Sequence, residues 1–238
     1  MNIANKMARL AEDPARTALF LDVDGVLAPI VLRPEDARVP DETREDLRRL
    51  AGRYALVACV SGRAGADAQR IVGVQEIVYV GNHGLELEPG AEKWRQPLGR
   101  FLAGAAWPHT ENKGLSAALH FRTADDETAA RAALELVAAN ARAMGLVARW
   151  GRKVLELLPP VEANKGTAVR RLLDERGLKR ALYAGDDTTD LDGFRALDRL
   201  ELAVRVAVAS PEGPRELRES ADLVVGDTDE FRTLLEKL

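Results

Sequence analysis

The sequence holds a single cysteine, Cys59, among 238 residues. No intrachain disulfide can form, so stability owes nothing to oxidation. Aromatic residues make up only 5% of the chain, so a core has to be filled mostly by Ala, Val and Leu. An excess of positive charge is also missing: 34 Lys and Arg face 38 Asp and Glu, for a formal net charge of −4. That excludes a global basic field for nucleic acid or an anionic membrane, and any anionic ligand has to be held by a local site. Nowhere do ~18 apolar residues run together, so no transmembrane span is expected. Residues 1–17 carry scattered charges and no apolar segment of the signal-peptide kind. A soluble, cytoplasmic protein is the expectation, with no nucleic-acid or membrane partner and a monomer favoured.

What is present is the composition of an ordinary globular protein, 46% hydrophobic and 30% charged. The length suits one large domain, or one domain carrying a smaller insert. Strand-like and helix-like segments alternate. Apolar runs at 18–21, 54–60 and 77–80 read as strands, the second continuous enough for a strand covered on both faces. Helical stretches at 41–50 and 64–72 lie between them, stopped near Gly52 and at Gly73. After residue 160 the rhythm resumes with helix 165–176 closed by Gly177, strand 181–184, a short helix over 190–197 and strand 203–208. A helical turn after Pro214, strand 223–225 and a last helix from 229 complete the pattern. Repeated strand–helix units with short loops predict an α/β fold, a parallel sheet sandwiched by helices. The middle breaks the rhythm: β character near 115–122 and 147–158 flanks an Ala-rich helix over 126–144, with Gly145 as its stop. The expected organisation is a core of residues 1–100 and 161–238, with an α+β insertion over 101–160.

The first chemical signal is Phe20-Leu21-Asp22-Val23-Asp24-Gly25. Acids at i and i+2 directly after a strand project to the same side at its carboxyl end, where open α/β sheets bind ligands. A turn with solvated acids is the alternative. Ala184-Gly185-Asp186-Asp187-Thr188-Thr189-Asp190 places three more carboxylates after another apolar strand. They repel one another unless a cation or hydrogen-bond donors offset them, and oxygen-rich ligation at a loop suits Mg²⁺. A helix cap by Asp190 or Thr188 is compatible with that reading.

Two further segments can hold anions. Val60-Ser61-Gly62-Arg63 ends a strand and opens a helix, so the Ser61 hydroxyl and free backbone N–H groups can face a phosphate. Asn164-Lys165-Gly166-Thr167 sets an ammonium at a helix start, where the macrodipole disfavours it, and a functional reason gains weight. Taken singly, each is also an ordinary cap. Cys59 reads as packing inside a strand, and His109 and His120 lack metal-ligand spacing. Trp94, Trp107 and Trp150 read as packing, with stacking on a sugar as the alternative.

Acid pair, Ser-Gly, helix-start Lys and Gly-Asp-Asp, in that order, resemble the haloacid dehalogenase-like (HAD) phosphohydrolase superfamily. The resemblance covers the chain except the insertion, which falls between the second and third motifs, where one class of these enzymes carries a C2-type cap. It implies a HAD-like Rossmannoid core with an inserted α+β cap. Within the superfamily, Tyr79-Val80-Gly81-Asn82-His83-Gly84-Leu85-Glu86 resembles the Gly-x-His-Gly-x-Glu segment of trehalose-6-phosphate phosphatases. Glu111-Asn112-Lys113-Gly114-Leu115-Ser116, followed by His120-Phe121-Arg122, is similar to their cap segment, as is Lys153-Val154-Leu155-Glu156 leading into Pro159. Two positions depart: Leu158 stands where the family usually has Arg, and Leu191 where it often has Glu. Neither is a phosphoryl-transfer residue.

The resemblance implies a Mg²⁺-dependent phosphatase working through an aspartyl-phosphate on Asp22. Asp24 would serve as acid and then as base, and Lys165 as the third catalytic group. Mg²⁺ would be held by Asp22, the backbone carbonyl of Asp24 and Asp186, with Asp187 and Asp190 behind them. Ser61, Gly62 and Lys165 would bind phosphoryl oxygens, and His83, Lys113 and Glu156 would meet sugar hydroxyls. A carboxylate facing phosphate at ~4 Å loses roughly 4 kcal/mol per like-charge contact at an effective dielectric near 20, so such a site needs cations as well as acids. The substrate would be a small-molecule sugar phosphate, trehalose 6-phosphate first. Sucrose 6-phosphate, a glycosyl-phosphoglycerate, or a catalytically silent binding module are the other readings.

Overall fold

The computed structural model describes residues 2–31, 33–151, 153–210 and 213–238. Helix α1 (Ile3–Glu12) leads into strand β1 (Thr17–Leu21), followed by α2 (Asp41–Ala51), β2 (Leu56–Val60), α3 (Gly65–Val72) and β3 (Val78–Val80). The chain then passes through α4 (Arg95–Gly104), β4 (Thr110–Asn112), β5 (Ala117–His120), α5 (Glu127–Ala143), β6 (Val147–Gly151) and β7 (Val154–Leu158). It resumes with α6 (Lys165–Arg176), β8 (Arg180–Gly185), α7 (Asp190–Ala196), β9 (Leu202–Val208), α8 (Arg215–Ser220), β10 (Leu223–Val225) and α9 (Thr228–Leu235). Among the described residues no helix is long and apolar enough to cross a membrane.

Two compact units emerge. The first joins Met1–Gly84 to Ala163–Leu238. Its six strands form one sheet in the order β10-β9-β8-β1-β2-β3, every neighbouring pair parallel. All residues of β1 and β2 are buried, as their unbroken apolar runs require of strands covered on both faces. The sequence moves outward from β1 to β2 and β3, then β8 takes the other side of β1. The order of strand addition therefore reverses at β1, and the crevice at the carboxyl ends of β1 and its neighbours is the place where such sheets bind ligands. Leu, Val and Ala dominate the core of this unit, with Leu19, Leu47, Leu50, Leu182 and Phe231 among its members.

Helix α1 lies in a stretch where the sequence suggests only scattered charge. Its apolar residues Ile3, Met7 and Leu10 fall on one helical face; Leu10 enters the core and the other two pack against it. The Asn2 side chain caps it, accepting from the Asn5 N–H at 2.9 Å.

The second unit, Leu85–Glu162, is an antiparallel sheet in the order β4-β5-β7-β6. Leu119, Leu155 and Leu157 on one face pack with Leu134 of α5 and Leu98 of α4. This unit begins before the expected residue 101 because α4 contributes to its core. The β stretch expected over 147–158 is two antiparallel strands, β6 and β7. Helix α5 starts where the Asp126 carboxylate accepts from the Ala129 N–H at 2.9 Å and stops before Gly145, which has φ +87°. The tryptophans pack as expected of core residues: Trp94, Trp107 and Trp150 all lie against this cluster.

Leu134 is fully buried. Leu134→Ala is expected to lower unfolding stability by about 2–5 kcal/mol, read from the shift of the urea midpoint at unchanged slope.

Candidate active site

Asp22 is the first residue past β1, and its N–H continues the sheet by donating to the Ala184 carbonyl of β8 at 3.0 Å. One carboxylate oxygen accepts from the Val23 N–H at 2.7 Å. The other accepts from the Lys165 ammonium at 2.6 Å. Lys165 is the first residue of α6, whose start is fixed by a reciprocal cap. The Thr167 N–H donates to Asn164 Oδ1 at 2.8 Å, and the Asn164 N–H donates to Thr167 Oγ1 at 3.0 Å. The same ammonium donates to Asp190 Oδ1 at 2.7 Å. An ammonium at this helix end runs against the macrodipole, and two buried carboxylates offset that disadvantage. Burial disfavours the charge on Lys165, yet Asp190 and Asp22 outweigh it and hold the lysine pKa above its ordinary value.

Asp190 is the most heavily bonded carboxylate of the site. Besides Lys165, its Oδ1 accepts from the Tyr183 hydroxyl at 2.7 Å. Its Oδ2 accepts from the N–H groups of Asp186 and Asp187 at 3.1 and 3.0 Å. The loop after β8 is thereby folded around this side chain. The Asp187 side chain is exposed, and only its backbone N–H joins the network.

Asp186 completes a cluster. Among the described residues, Asp22, Asp186 and Asp190 each offer a carboxylate oxygen, and these oxygens lie within 4.8 Å of one another. Gly25, at φ +76°, allows this approach: a Cβ there would lie 2.2 Å from Asp186 Oδ2. Burial, followed by repulsion from Asp22 and Asp190, pushes the Asp186 carboxyl up to about 8. Burial likewise raises Asp22 to about 7, although the Lys165 ammonium works against it.

Asp24 has a different partner. Both its oxygens are taken by the Arg63 guanidinium, Nε to Oδ2 at 2.7 Å and Nη2 to Oδ1 at 2.8 Å. Ser61 is buried at the end of β2, the strand beside β1, and its hydroxyl accepts from the Arg63 N–H at 3.2 Å. His83 sits in an unusual backbone: Asn82 and His83 both have φ +53° and Gly84 has φ +99°, a run that carries strain. The His83 N–H donates to the Ser61 carbonyl at 2.9 Å. Its ring covers Gly62, where a Cβ would come within 2.6 Å. The segments 61–63 and 81–84 thus form one packed turn cluster. Nothing in residue spacing announces Arg63 as the partner of Asp24, or left-handed backbone at Asn82.

Within the second unit, Lys113 is at the turn from β4 to β5, with its ammonium 3.8 Å from Glu111. Glu156 on β7 accepts from Arg149 Nε and Nη2 at 2.8 and 2.6 Å, whereas Lys153 pairs with Glu127. His120 approaches Glu111 at 3.3 Å. Cys59 is buried in β2, and burial raises its thiol pKa, which leaves it inert.

The sequence profile described as Trehalose-phosphatase matches residues 20–225. The chain belongs to the trehalose-phosphatase family. A relative from Oryza sativa subsp. japonica, "Probable trehalose-phosphate phosphatase 9", is 32% identical over 224 residues, covering 76% of this chain and 60% of its own length. The chain thus spans about three fifths of that family member. A solved structure named as a trehalose-6-phosphate phosphatase related protein superposes with a TM-score of 0.74 at 26% identity, covering 92% of this chain and 95% of the other. A haloacid dehalogenase-like hydrolase from Bacteroides thetaiotaomicron shares the fold at a TM-score of 0.64 and 15% identity, over 93% and 98% of the two chains. The trehalose-phosphatase motifs read from the sequence lie inside the matched span, and the fold is HAD-like.

The raised carboxyls set a pH dependence for the metal-free protein. The folded state binds these protons more tightly than the unfolded chain, whose carboxyls sit at 3.8. Their stabilising contribution is complete below that value and is lost as pH rises through about 7 for Asp22 and about 8 for Asp186. In chelator-containing buffer, urea midpoints are expected to fall between pH 5 and pH 8, by at most about 1.4 kcal/mol per pH unit per group. Asp186→Asn is expected to flatten that slope; an unchanged slope would remove Asp186 as its source.

Proposed function

We propose that this chain is a phosphoric monoester hydrolase that converts trehalose 6-phosphate and water to trehalose and phosphate, through an aspartyl-phosphate on Asp22. The observation that carries this reading is the buried Lys165 ammonium on the Asp22 carboxylate at 2.6 Å, at the switch point of the sheet in a trehalose-phosphatase-family chain.

The donor set suits a divalent cation. Three carboxylates share one ammonium, which leaves surplus negative charge among oxygens within 4.8 Å, and hard oxygen ligands favour Mg²⁺. The Asp190 oxygens already accept four hydrogen bonds, so Asp190 braces the loop and is a poor ligand. The groups assigned to Mg²⁺ are the Asp22 and Asp186 carboxylates and the Asp24 backbone carbonyl. Bound there, the ion supplies positive charge that offsets repulsion between carboxylate and phosphate.

The remaining work belongs to the chain. Asp22 attacks phosphorus in line while Asp24 gives a proton to the departing sugar oxygen. Asp24 then takes a proton from the water that cleaves the acyl phosphate. Lys165, the Ser61 hydroxyl and the Gly62 N–H meet the phosphoryl oxygens, so electrostatics and positioning supply most of the rate. His83, Lys113 and Glu156 are assigned to sugar hydroxyls. Two of these lie in the inserted unit, which is therefore given the task of substrate selection.

A phosphate-release screen with Mg²⁺ across sugar phosphates tests the substrate. The highest kcat/KM is expected for trehalose 6-phosphate, and an equal value for sucrose 6-phosphate would overturn that assignment. Asp22→Asn is expected to lower kcat by about 10³-fold or more; full turnover in this variant would rule out the covalent route. Asp24→Asn is expected to slow sugar phosphates by about 10²-fold or more and to spare the first turnover of an aryl phosphate, whose leaving group needs no proton.

A further inference from the structure

Arg63 has no part in the scheme above, yet it holds the acid on which that scheme turns. Its guanidinium is nearly buried and pinned from several sides. Nη1 donates to Asp67 Oδ2 at 2.9 Å, and Nη2 donates to the Pro34 carbonyl at 3.0 Å as well as to Asp24. Asp67 is itself held by Arg70 Nη2 at 2.6 Å. The backbone is anchored too: the Arg63 N–H donates to Ser61 Oγ, and its carbonyl accepts from the Asn82 N–H at 2.7 Å. The Asp24 side chain, by contrast, is 39% exposed and precedes Gly25 in the left-handed region. Its carboxylate has no other partner among the described residues. The cation is held from several sides, the acid by the arginine alone.

We propose that Arg63 is a positioning residue, a pivot that sets the plane and reach of the Asp24 carboxyl group toward the leaving sugar oxygen. A two-bond fork fixes orientation as well as position, which a point charge does not. In the first step one Asp24 oxygen, having left the fork and taken a proton from solvent on its exposed side, passes that proton to the sugar oxygen. That oxygen takes the electron pair of the breaking P–O bond while the Asp22 O–P bond forms. The other Asp24 oxygen stays tied to Arg63. Because Ser61 bonds to the same arginine's backbone, the phosphate-binding turn and the acid share one support. This inference rests on the phosphatase reading and adds to it a residue that acts through Asp24.

The test compares wild type, Arg63→Met, Arg63→Lys and Asp67→Asn on trehalose 6-phosphate and para-nitrophenyl phosphate, with inorganic phosphate as a competitive inhibitor. Arg63→Met is expected to lower kcat on the sugar phosphate by about 10²-fold, while nitrophenol release in the first turnover falls less than about threefold. KM and the inhibition constant of phosphate should stay within about twofold, because phosphoryl contacts are intact. Arg63→Lys should resemble Arg63→Met, since one ammonium cannot reproduce the fork. Asp67→Asn keeps both bonds to Asp24 and loosens only the anchor, so a smaller loss of the same selective kind is expected; it decides the matter should Arg63→Met not fold. Equal losses on both substrates, a weakened phosphate inhibition, or rates like wild type would each overturn the pivot. A wild type that releases no phosphate from any sugar phosphate would instead overturn the reading beneath it.

Discussion

One buried ammonium between two carboxylates organises the site. Lys165 bonds to Asp22 after β1 and to Asp190 at the start of α7, so a single side chain ties together three segments distant in sequence. Ions taken this far from water are expensive unless each finds partners, and removing one member of a buried pair typically costs about 3–5 kcal/mol because the other is left uncompensated. Asp190 answers this with four donors and Lys165 with two acceptors. Asp186 is buried and faces Asp22 and Asp190 with no cation bonded to it among the described residues, which pushes its carboxyl upward and is why a cation suits the cluster.

Two acids only two residues apart therefore live in unlike surroundings. Asp22 faces Lys165 and the neighbouring carboxylates, whereas Asp24 faces Arg63, Asp67 and, through Asp67, Arg70. Unlike environments are what allow paired carboxylates to take unlike duties. The division follows from the exit of β1: Val23 turns inward and is fully buried, and the chain bends at Gly25, so each acid finds its own cation.

Much of this was legible in advance because it is written in local pattern. Continuous apolar runs mark β1, β2 and β8, glycines in the left-handed region close α3 and α6, and acids sit where strands end. Other parts were not. Helix α1 interleaves Lys6, Arg9 and Glu12 with its apolar residues, and β4 has three residues without an apolar alternation. The second unit starts as early as Leu85 because Leu98 packs forward in the chain, a contact that no local pattern marks. Partner choice was the least accessible feature: Arg63 for Asp24 and Arg149 for Glu156 are contacts across 39 and 7 residues, and no spacing rule chooses one arginine over another. Positive φ at Asn82 and His83 is likewise a product of packing against the turn at 61–63.

The parallel sheet has a temporal side. Its central strand, β1, pairs with β2 nearby in sequence but also with β8, from Thr17↔Arg180 to Leu21↔Ala184. During synthesis the first three strands leave the ribosome long before that second edge exists, and the whole of Leu85–Glu162 is made in the interval. An apolar strand edge waiting unpaired is prone to association with other chains. Closing so wide a chain loop is slow as well. The inserted unit, whose strand pairings all fall within itself, can form its own sheet during that wait, so the order of manufacture favours the guest finishing before its host.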